Sequence, residues 1–251
     1  MADDTLWLAV DDQGQPEIFA SVQGEGPSLG SPRTFIRLSG CNLHCVWCDT
    51  AYTWNWEGTA FDHETGRKFA PENERIVQTI DEIVSRVADT SPSGIVITGG
   101  EPLMQKGRLA PLITAIKEAC GPVWVEIETN GSVLPTRDLI PLINQFNVSP
   151  KLSHSGNDMA VAQREQSLTA FAALPSSWFK FVISEPGDVE EVLRISDRYK
   201  IAHDRVFLMP LGTSSKDIRD RSGWIIDKCL KHGFRFTDRL HIHIFGDTRG
   251  T

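Results

Sequence analysis

TFIRLSGCNLHCVWCDT, residues 34–50, is the stretch that decides the reading of this chain. TFIRLS (34–39) alternates Thr34, Ile36 and Leu38 with Phe35, Arg37 and Ser39, the period-two pattern of a strand, and SG then opens a loop. That loop carries Cys41, Cys45 and Cys48 in a C-x3-C-x2-C spacing. Three thiolates so close in sequence reach one centre only if the loop wraps round it, and soft sulfur ligands select zinc, copper(I) or iron–sulfur. A [4Fe–4S] cube usually takes four cysteines, so three leave one iron open to an exogenous ligand. The alternative is a structural zinc with His44, His63, His154, His241 or His243 as fourth ligand, although no second C-x2-C or H-x3-H pair exists. Cys120 and Cys229 stand alone and read as small core hydrophobes.

Outward from the cysteines, further strands are predicted at GIVIT (94–98), VWVEIE (123–128), WFKFVI (178–183), RVFLM (205–209) and LHIHIF (240–245). Helices intervene: one with Ile76, Ile80, Ile83, Val84 and Val87 on a face, another marked by Leu109, Leu112, Ile113 and Ile116. Asp188 and Glu191 are placed to cap a third, through Val192 and Tyr199. Alternating strand and helix predict an α/β fold with a mainly parallel sheet, curled into a full or partial barrel or left open. Either way the chemistry sits beyond the C-terminal strand ends. Residues 54–75 break the rhythm and read as an irregular insertion over the site, within a chain otherwise organised as one domain, 1–251.

The whole-chain numbers agree with a small-molecule enzyme. The 251 residues, 40% hydrophobic and 23% charged, suffice for a real core, and a net charge of −8 argues against a nucleic-acid surface. An acidic start, MADD, and no run of membrane-spanning length point to a cytoplasmic protein without membrane contact.

Three further motifs follow strands. ITGGEP (97–102) supplies glycines that let backbone approach a ligand closely. In VWVEIETNG, Glu126 and Glu128 share a face with Trp124, which is either solvated or lines a cavity, with Glu128 nearest the mouth. SPK (149–151) offers a hydroxyl and an ammonium. Upstream, SVQGEG (21–26) sets the amide of Gln23 and the carboxylate of Glu25 on a tight loop suited to the N–H edge of a guanine-like or pterin ring. Arg37 could grip a substrate carboxylate fork to fork or satisfy a neighbouring acid.

C-x3-C-x2-C after a strand, with GGEP downstream and Trp47 before the third cysteine, resembles the radical S-adenosylmethionine superfamily. The run QGEGPSLGSPRTFIRLSGCNLHCVWCDTAYTW, continued by ITGGEP, ETNG and SPK, resembles the 7-carboxy-7-deazaguanine synthase family within it. The resemblance implies a partial or modified (β/α)6-type barrel and a carbon–nitrogen lyase. Its substrate would be 6-carboxy-5,6,7,8-tetrahydropterin, converted to 7-carboxy-7-deazaguanine and ammonia in queuosine-type 7-deazapurine biosynthesis. A 5′-deoxyadenosyl radical would take hydrogen from C6, with S-adenosylmethionine regenerated. Carried over position by position, it assigns Cys41, Cys45 and Cys48 to the cluster. It assigns Val22, Gln23, Gly24, Glu25, Arg37 and Thr98 to substrate, and Trp47, Cys48, Asp49, Gly100, Ser149, Pro150 and Lys151 to S-adenosylmethionine. Thr50 falls to Mg²⁺, consistent with that cation's mixed shells. It also implies a homodimer and an electron donor such as flavodoxin or ferredoxin. The chain departs from the pattern at Met209-Pro210-Leu211-Gly212 and at its last residue, Thr251. A glycyl-radical activase shares the cysteine motif but would not need QGEG and Arg37, and often carries extra cysteine pairs absent here.

Overall fold

The computed structural model describes residues 4–251; Met1, Ala2 and Asp3 of the acidic start lie outside the described residues. Among the described residues ten strands form one sheet: β1 (Thr5–Ala9), β2 (Ile18–Val22), β3 (Pro32–Leu38), β4 (Arg75–Thr79), β5 (Gly94–Gly99), β6 (Trp124–Thr129), β7 (Gln145–Val148), β8 (Ser177–Ile183), β9 (Val206–Pro210) and β10 (Arg235–Phe236). From β3 through β5 to β10 every neighbouring pair is parallel. β1, β2 and β4 add an antiparallel flank, and among the described residues the sheet does not close. This is the mainly parallel α/β fold expected, as a partial barrel.

The helices are α1 (Pro71–Glu74), α2 (Ile80–Asp89), α3 (Lys106–Cys120), α4 (Met159–Ala162), α5 (Glu165–Ala173), α6 (Pro186–Tyr199), α7 (Ser215–His232) and α8 (Leu240–Phe245). None of the described helices is long and apolar enough to cross a membrane. The core lies between sheet and helices. Ile36, Leu38, Ile95, Ile97, Val125 and Ile127 from the strands meet Ile83, Val87, Leu109, Leu112 and Ile113 from α2 and α3. Each of these side chains is fully buried, which at about 25 cal/mol per Å² gives ~1.5–3 kcal/mol apiece and makes this layer the main stabiliser of the fold. Cys229 belongs to this core and Cys120 packs against it, as hydrophobes.

Three local expectations are corrected. Ile76 belongs to β4, not to the helix that follows: Thr79 caps that helix in a capping box with Glu82, so the helix starts at Ile80 while residues 75–79 pair with β1. LHIHIF is helix α8, not a strand. A strand would have buried Leu240, Ile242 and Ile244 together, yet only Ile242 is buried and Ile244 is 55% exposed. The sheet edge there is held by β10, and Leu240 N–H instead donates to Gly24 O at 2.9 Å. At α6 Asp188 does cap, accepting Ser184 N–H and Glu185 N–H, but its partner in the box is Glu185. Glu191 reaches across to Ser153 instead.

Candidate active site

A cavity of about 530 Å³ opens at the C-terminal ends of the parallel strands, floored by residues of β3, β5, β6, β8 and β9. The strand alternation inferred for β3 explains its floor: Thr34, Ile36 and Leu38 face the core, which turns Phe35 and Arg37 to the cavity. Register then sets Arg37 beside Thr98 of β5.

The cysteine loop leaves β3 and folds along one wall, with Cys41, Cys45 and Cys48 all lining the cavity. Each sulfur accepts a hydrogen bond: Cys41 from Leu43 N–H at 3.4 Å, Cys45 from Asn157 Nδ2 at 3.2 Å and Cys48 from Trp54 Nε1 at 3.3 Å. Asn130 Nδ2 adds a long contact to Cys41 at 3.9 Å. Burial pushes the Cys48 thiol up to about 11 and raises Cys41 and Cys45 as well. Buried thiols that receive N–H donors are poor free thiolates and good ligands, because a bound metal supplies the positive charge that deprotonates them.

Gly100 completes this wall: a Cβ there would meet Gly40 O at 2.2 Å and Cys41 Cβ at 3.0 Å, so only glycine lets the GGEP turn lie against the cysteine loop. The donor set therefore fits an iron–sulfur cluster. A structural zinc lacks its fourth ligand. His44 stacks on Phe61, His63 bonds Cys48 O at 2.8 Å, and His154 bonds Trp47 Nε1 at 3.0 Å. His241 lies 3.9 Å from Glu25, and His243 bonds Ser215 and Asp238. Among the described residues no three His, Cys, Asp or Glu side chains close into the single-ion site zinc needs.

A buried charge network that reaches Asp49, next to Cys48, also lines the cavity. Glu128 of β6 lines the cavity as the alternation allowed, while Glu126 is fully buried beneath it and paired with Arg33 at 2.7 Å. Lys180 of β8 donates to Glu25 at 2.5 Å and to Glu128 at 2.9 Å. Arg239, just ahead of α8, donates to Glu25 at 3.0 Å, to Gly212 O at 2.6 Å and to Asp49. Burial alone would raise the Glu25 pKa, but Lys180, Arg239 and His241 outweigh it and hold Glu25 well below the usual carboxylate range. Asp49 falls likewise, with Arg239 overriding its burial. Gln23 spends its amide on Glu126 and Glu128, at 3.4 and 3.2 Å. Gly24 leaves room for His241, whose Nδ1 would lie 2.1 Å from a Cβ.

Nearly all the residues singled out in the sequence meet here. Val22, Gln23, Gly24, Glu25, Arg37 and Thr98 line the cavity, as do Trp47, Asp49, Thr50, Gly100, Ser149 and Lys151. Lys151 Nζ donates to Ser149 Oγ at 3.0 Å and stands over the Trp47 ring. Thr50 Oγ1 lies 3.5 Å from Cys48 Sγ. Pro150 does not line the cavity; its two neighbours in SPK do. Met209, Pro210, Leu211 and Thr251, the positions that departed from pattern, also line it. Segment 54–70 packs on the cysteine loop through Trp54, His63 and Glu64, and contributes His63, Thr65 and Arg67 to the rim.

Several lining residues had no role read from the sequence. Lys180 was findable as a lone charge in an apolar strand, WFKFVI. Asn130 and Tyr52 lay inside quoted motifs, ETNG and CDTAYTW, but were given no role, and Arg239 lay in no motif, because the partners of all three come from elements distant in sequence.

Residues 22–158 match the family described as 4Fe-4S single cluster domain. The fold and the three-cysteine wall thus define an enzyme of the radical S-adenosylmethionine class, built around one [4Fe–4S] cluster with S-adenosylmethionine as its cofactor. The relatives are more specific. A 7-carboxy-7-deazaguanine synthase of Pyrobaculum aerophilum is 38% identical over 235 residues, spanning 93% of this chain and 95% of the relative. One from Rhodopirellula baltica is 34% identical over 94% of this chain and 87% of its own length. The chain belongs to the 7-carboxy-7-deazaguanine synthase family. In fold it matches the crystal structure of QueE from Escherichia coli with a TM-score of 0.65, at 24% identity over 94% of this chain and 95% of that one.

Proposed function

We propose that this chain converts 6-carboxy-5,6,7,8-tetrahydropterin to 7-carboxy-7-deazaguanine with loss of ammonia, as one cytoplasmic domain in which 54–75 is an insertion closing over the site. The observation that carries this reading is the unpartnered end of Arg37. Its Nε is held by Glu17 at 2.7 Å, while among the described residues its two terminal nitrogens have no hydrogen-bond partner at the cavity wall. A planar cationic fork with a free edge is built for a carboxylate.

When bound, the cluster and S-adenosylmethionine supply a carbon radical able to abstract hydrogen. Cys41, Cys45 and Cys48 hold the cluster, and the Gly100 turn, Trp47, Asp49, Ser149 and Lys151 seat the amino-acid and ribose parts of the cofactor. Pro150 sets the spacing between Ser149 and Lys151. Arg37 and Thr98 hold the substrate carboxylate end. Val22 and Gly24 present backbone to the ring, and Gln23 and Glu25, anchored by the charge network, face its N–H edge. Thr50 would supply a hydroxyl ligand to Mg²⁺, a hard cation that would add positive charge near the substrate carboxylate. A low-potential donor such as flavodoxin or ferredoxin reduces the cluster, and the working form is a homodimer.

The test is anaerobic reconstitution followed by incubation of the reduced protein with the carboxypterin, S-adenosylmethionine and Mg²⁺. About four irons per chain, a spectrum altered by S-adenosylmethionine, and formation of the deazaguanine acid with ammonia support the reading. An intact cluster with no product overturns the substrate assignment.

A further inference from the structure

Glu17 stands one residue before β2, is buried at 1% exposure, and has both carboxylate oxygens committed. Oε1 accepts Arg37 Nε at 2.7 Å and Oε2 accepts the Tyr52 hydroxyl at 2.9 Å. The backbone locks the same pair, since Arg37 N–H donates to Glu17 O at 3.1 Å and Glu17 N–H to Ala9 O at 2.9 Å. Tyr52 lies in the short turn Ala51–Thr53 directly after the cysteine loop, and its ring is covered by the Arg249 guanidinium at 3.7 Å. Arg249 is itself fixed to Glu74 at 2.8 Å.

We infer that Glu17 is the positioning residue that gives the site its preference for a carboxylated substrate, by fixing the Arg37 fork through Nε and tying it to the cysteine loop through Tyr52. This rests on the proposed reaction for the identity of the ligand. The physical reason is that an arginine on a flexible stem binds a carboxylate only after losing rotamer freedom. Gripped at Nε by a buried acid, the guanidinium has a fixed plane, and among the described residues its two terminal nitrogens are left without a hydrogen-bond partner at the cavity wall. Glu17 also balances the charge of Arg37 while bonding it at Nε and not at the terminal nitrogens. Tyr52 takes the second oxygen, so Glu17 cannot rotate toward the cavity and compete with the ligand. Glu17 touches no substrate in this account; it acts through Arg37.

The experiment titrates reconstituted holoenzyme, with S-adenosylmethionine present, using two stable fluorescent probes: 6-carboxypterin and pterin lacking the carboxylate. Wild type prefers the carboxylated ring by at least tenfold in Kd. In E17Q the 6-carboxypterin Kd rises about tenfold while the pterin Kd and the iron content stay the same, so the preference collapses toward one. In the R37A background, E17Q adds nothing further. Y52F, which removes one hydroxyl and keeps the Glu17–Arg37 pair, covers the case of E17Q failing to fold, and lowers the preference about threefold. An equal rise for both probes, unchanged Kd values in E17Q, an additive loss on top of R37A, or an unaltered preference in a Y52F protein used in its place overturns the inference. A wild type that binds neither probe overturns the substrate assignment itself, which separates that failure from this one.

Discussion

Replacing Lys180 with methionine keeps the stem and removes the charge that sits between two carboxylates. Lys180 is 6% exposed, and its ammonium lies 2.5 Å from Glu25 and 2.9 Å from Glu128. At an effective dielectric near 20, each attraction is ~6 kcal/mol gross, most of it offset by the desolvation of the partners. Removing one member of a buried pair typically costs ~3–5 kcal/mol. K180M falls at the lower end, about 3 kcal/mol, because Arg239 still balances Glu25 and Asn147 still donates to Glu128 at 2.8 Å. For a chain of 251 residues that corresponds to a fall in Tm of about 6 °C.

The pH dependence of K180M gives a second signature. Burial already raises the pKa of Glu128, and Lys180 is the main force opposing it. Without Lys180 that pKa climbs further above its unfolded value, so the folded variant binds more protons than the unfolded chain. Stability is then retained at low pH and lost as pH rises through the folded pKa. Urea unfolding of wild type and K180M at pH 5.5 and pH 8 reads this directly: the gap between them narrows at the lower pH, and K180M/E128Q recovers most of the loss. A variant within 0.5 kcal/mol of wild type, or a gap that ignores pH, refutes the network as the support of this wall.

Gly100→Ala places a methyl 2.2 Å from Gly40 O, a backbone atom that cannot swing aside, so the cysteine loop is displaced; iron bound after reconstitution falls below about half of wild type while urea stability changes by ~1–3 kcal/mol. Glu101, buried at 1% exposure, has its pKa raised to about 7 by burial despite donors from Asn130, Leu103 and Thr129. Its protonated form favours the fold, so wild-type stability declines between about pH 4.5 and pH 7 by ~3 kcal/mol from this group alone, and E101Q flattens that decline. Arg239→Lys keeps one cation but cannot reach Glu25, Asp49 and Gly212 O at once; S-adenosylmethionine affinity measured by calorimetry drops about tenfold, with iron content unchanged.

The cysteine loop was legible because its information is local: spacing, thiol chemistry and a preceding strand all lie between Thr34 and Cys48. Five of the parallel strands were legible as apolar runs, as in GIVIT, buried from Gly94 to Ile97, and VWVEIE; β7 and β10, four and two residues long, were not among the strands expected. The antiparallel flank was not. β1, β2 and β4 are five-residue segments outside the strand–helix rhythm, and Ile76 fits the apolar face of the following helix equally well until Thr79 caps it. LHIHIF misled for a related reason: its alternation satisfies a strand pattern, and only the occupied sheet edge and the bond to Gly24 O make it helical. Within the site, loop motifs such as QGEG, GGEP and SPK carried their own signal. Glu17, Tyr52 and Arg239 did not, since each acquires its place by pairing with residues 20 to 214 positions away.

The central claim is that a cluster held by Cys41, Cys45 and Cys48 uses S-adenosylmethionine reversibly to ring-contract a carboxypterin. The most direct measurement runs the reduced holoenzyme with carboxytetrahydropterin deuterated at C6 and a limiting amount of S-adenosylmethionine, following product, ammonia and the label by mass spectrometry. The account predicts many equivalents of 7-carboxy-7-deazaguanine and ammonia for each S-adenosylmethionine, with deuterium recovered in the S-adenosylmethionine pool. Unlabelled S-adenosylmethionine, or one 5′-deoxyadenosine released for every turnover, would contradict it.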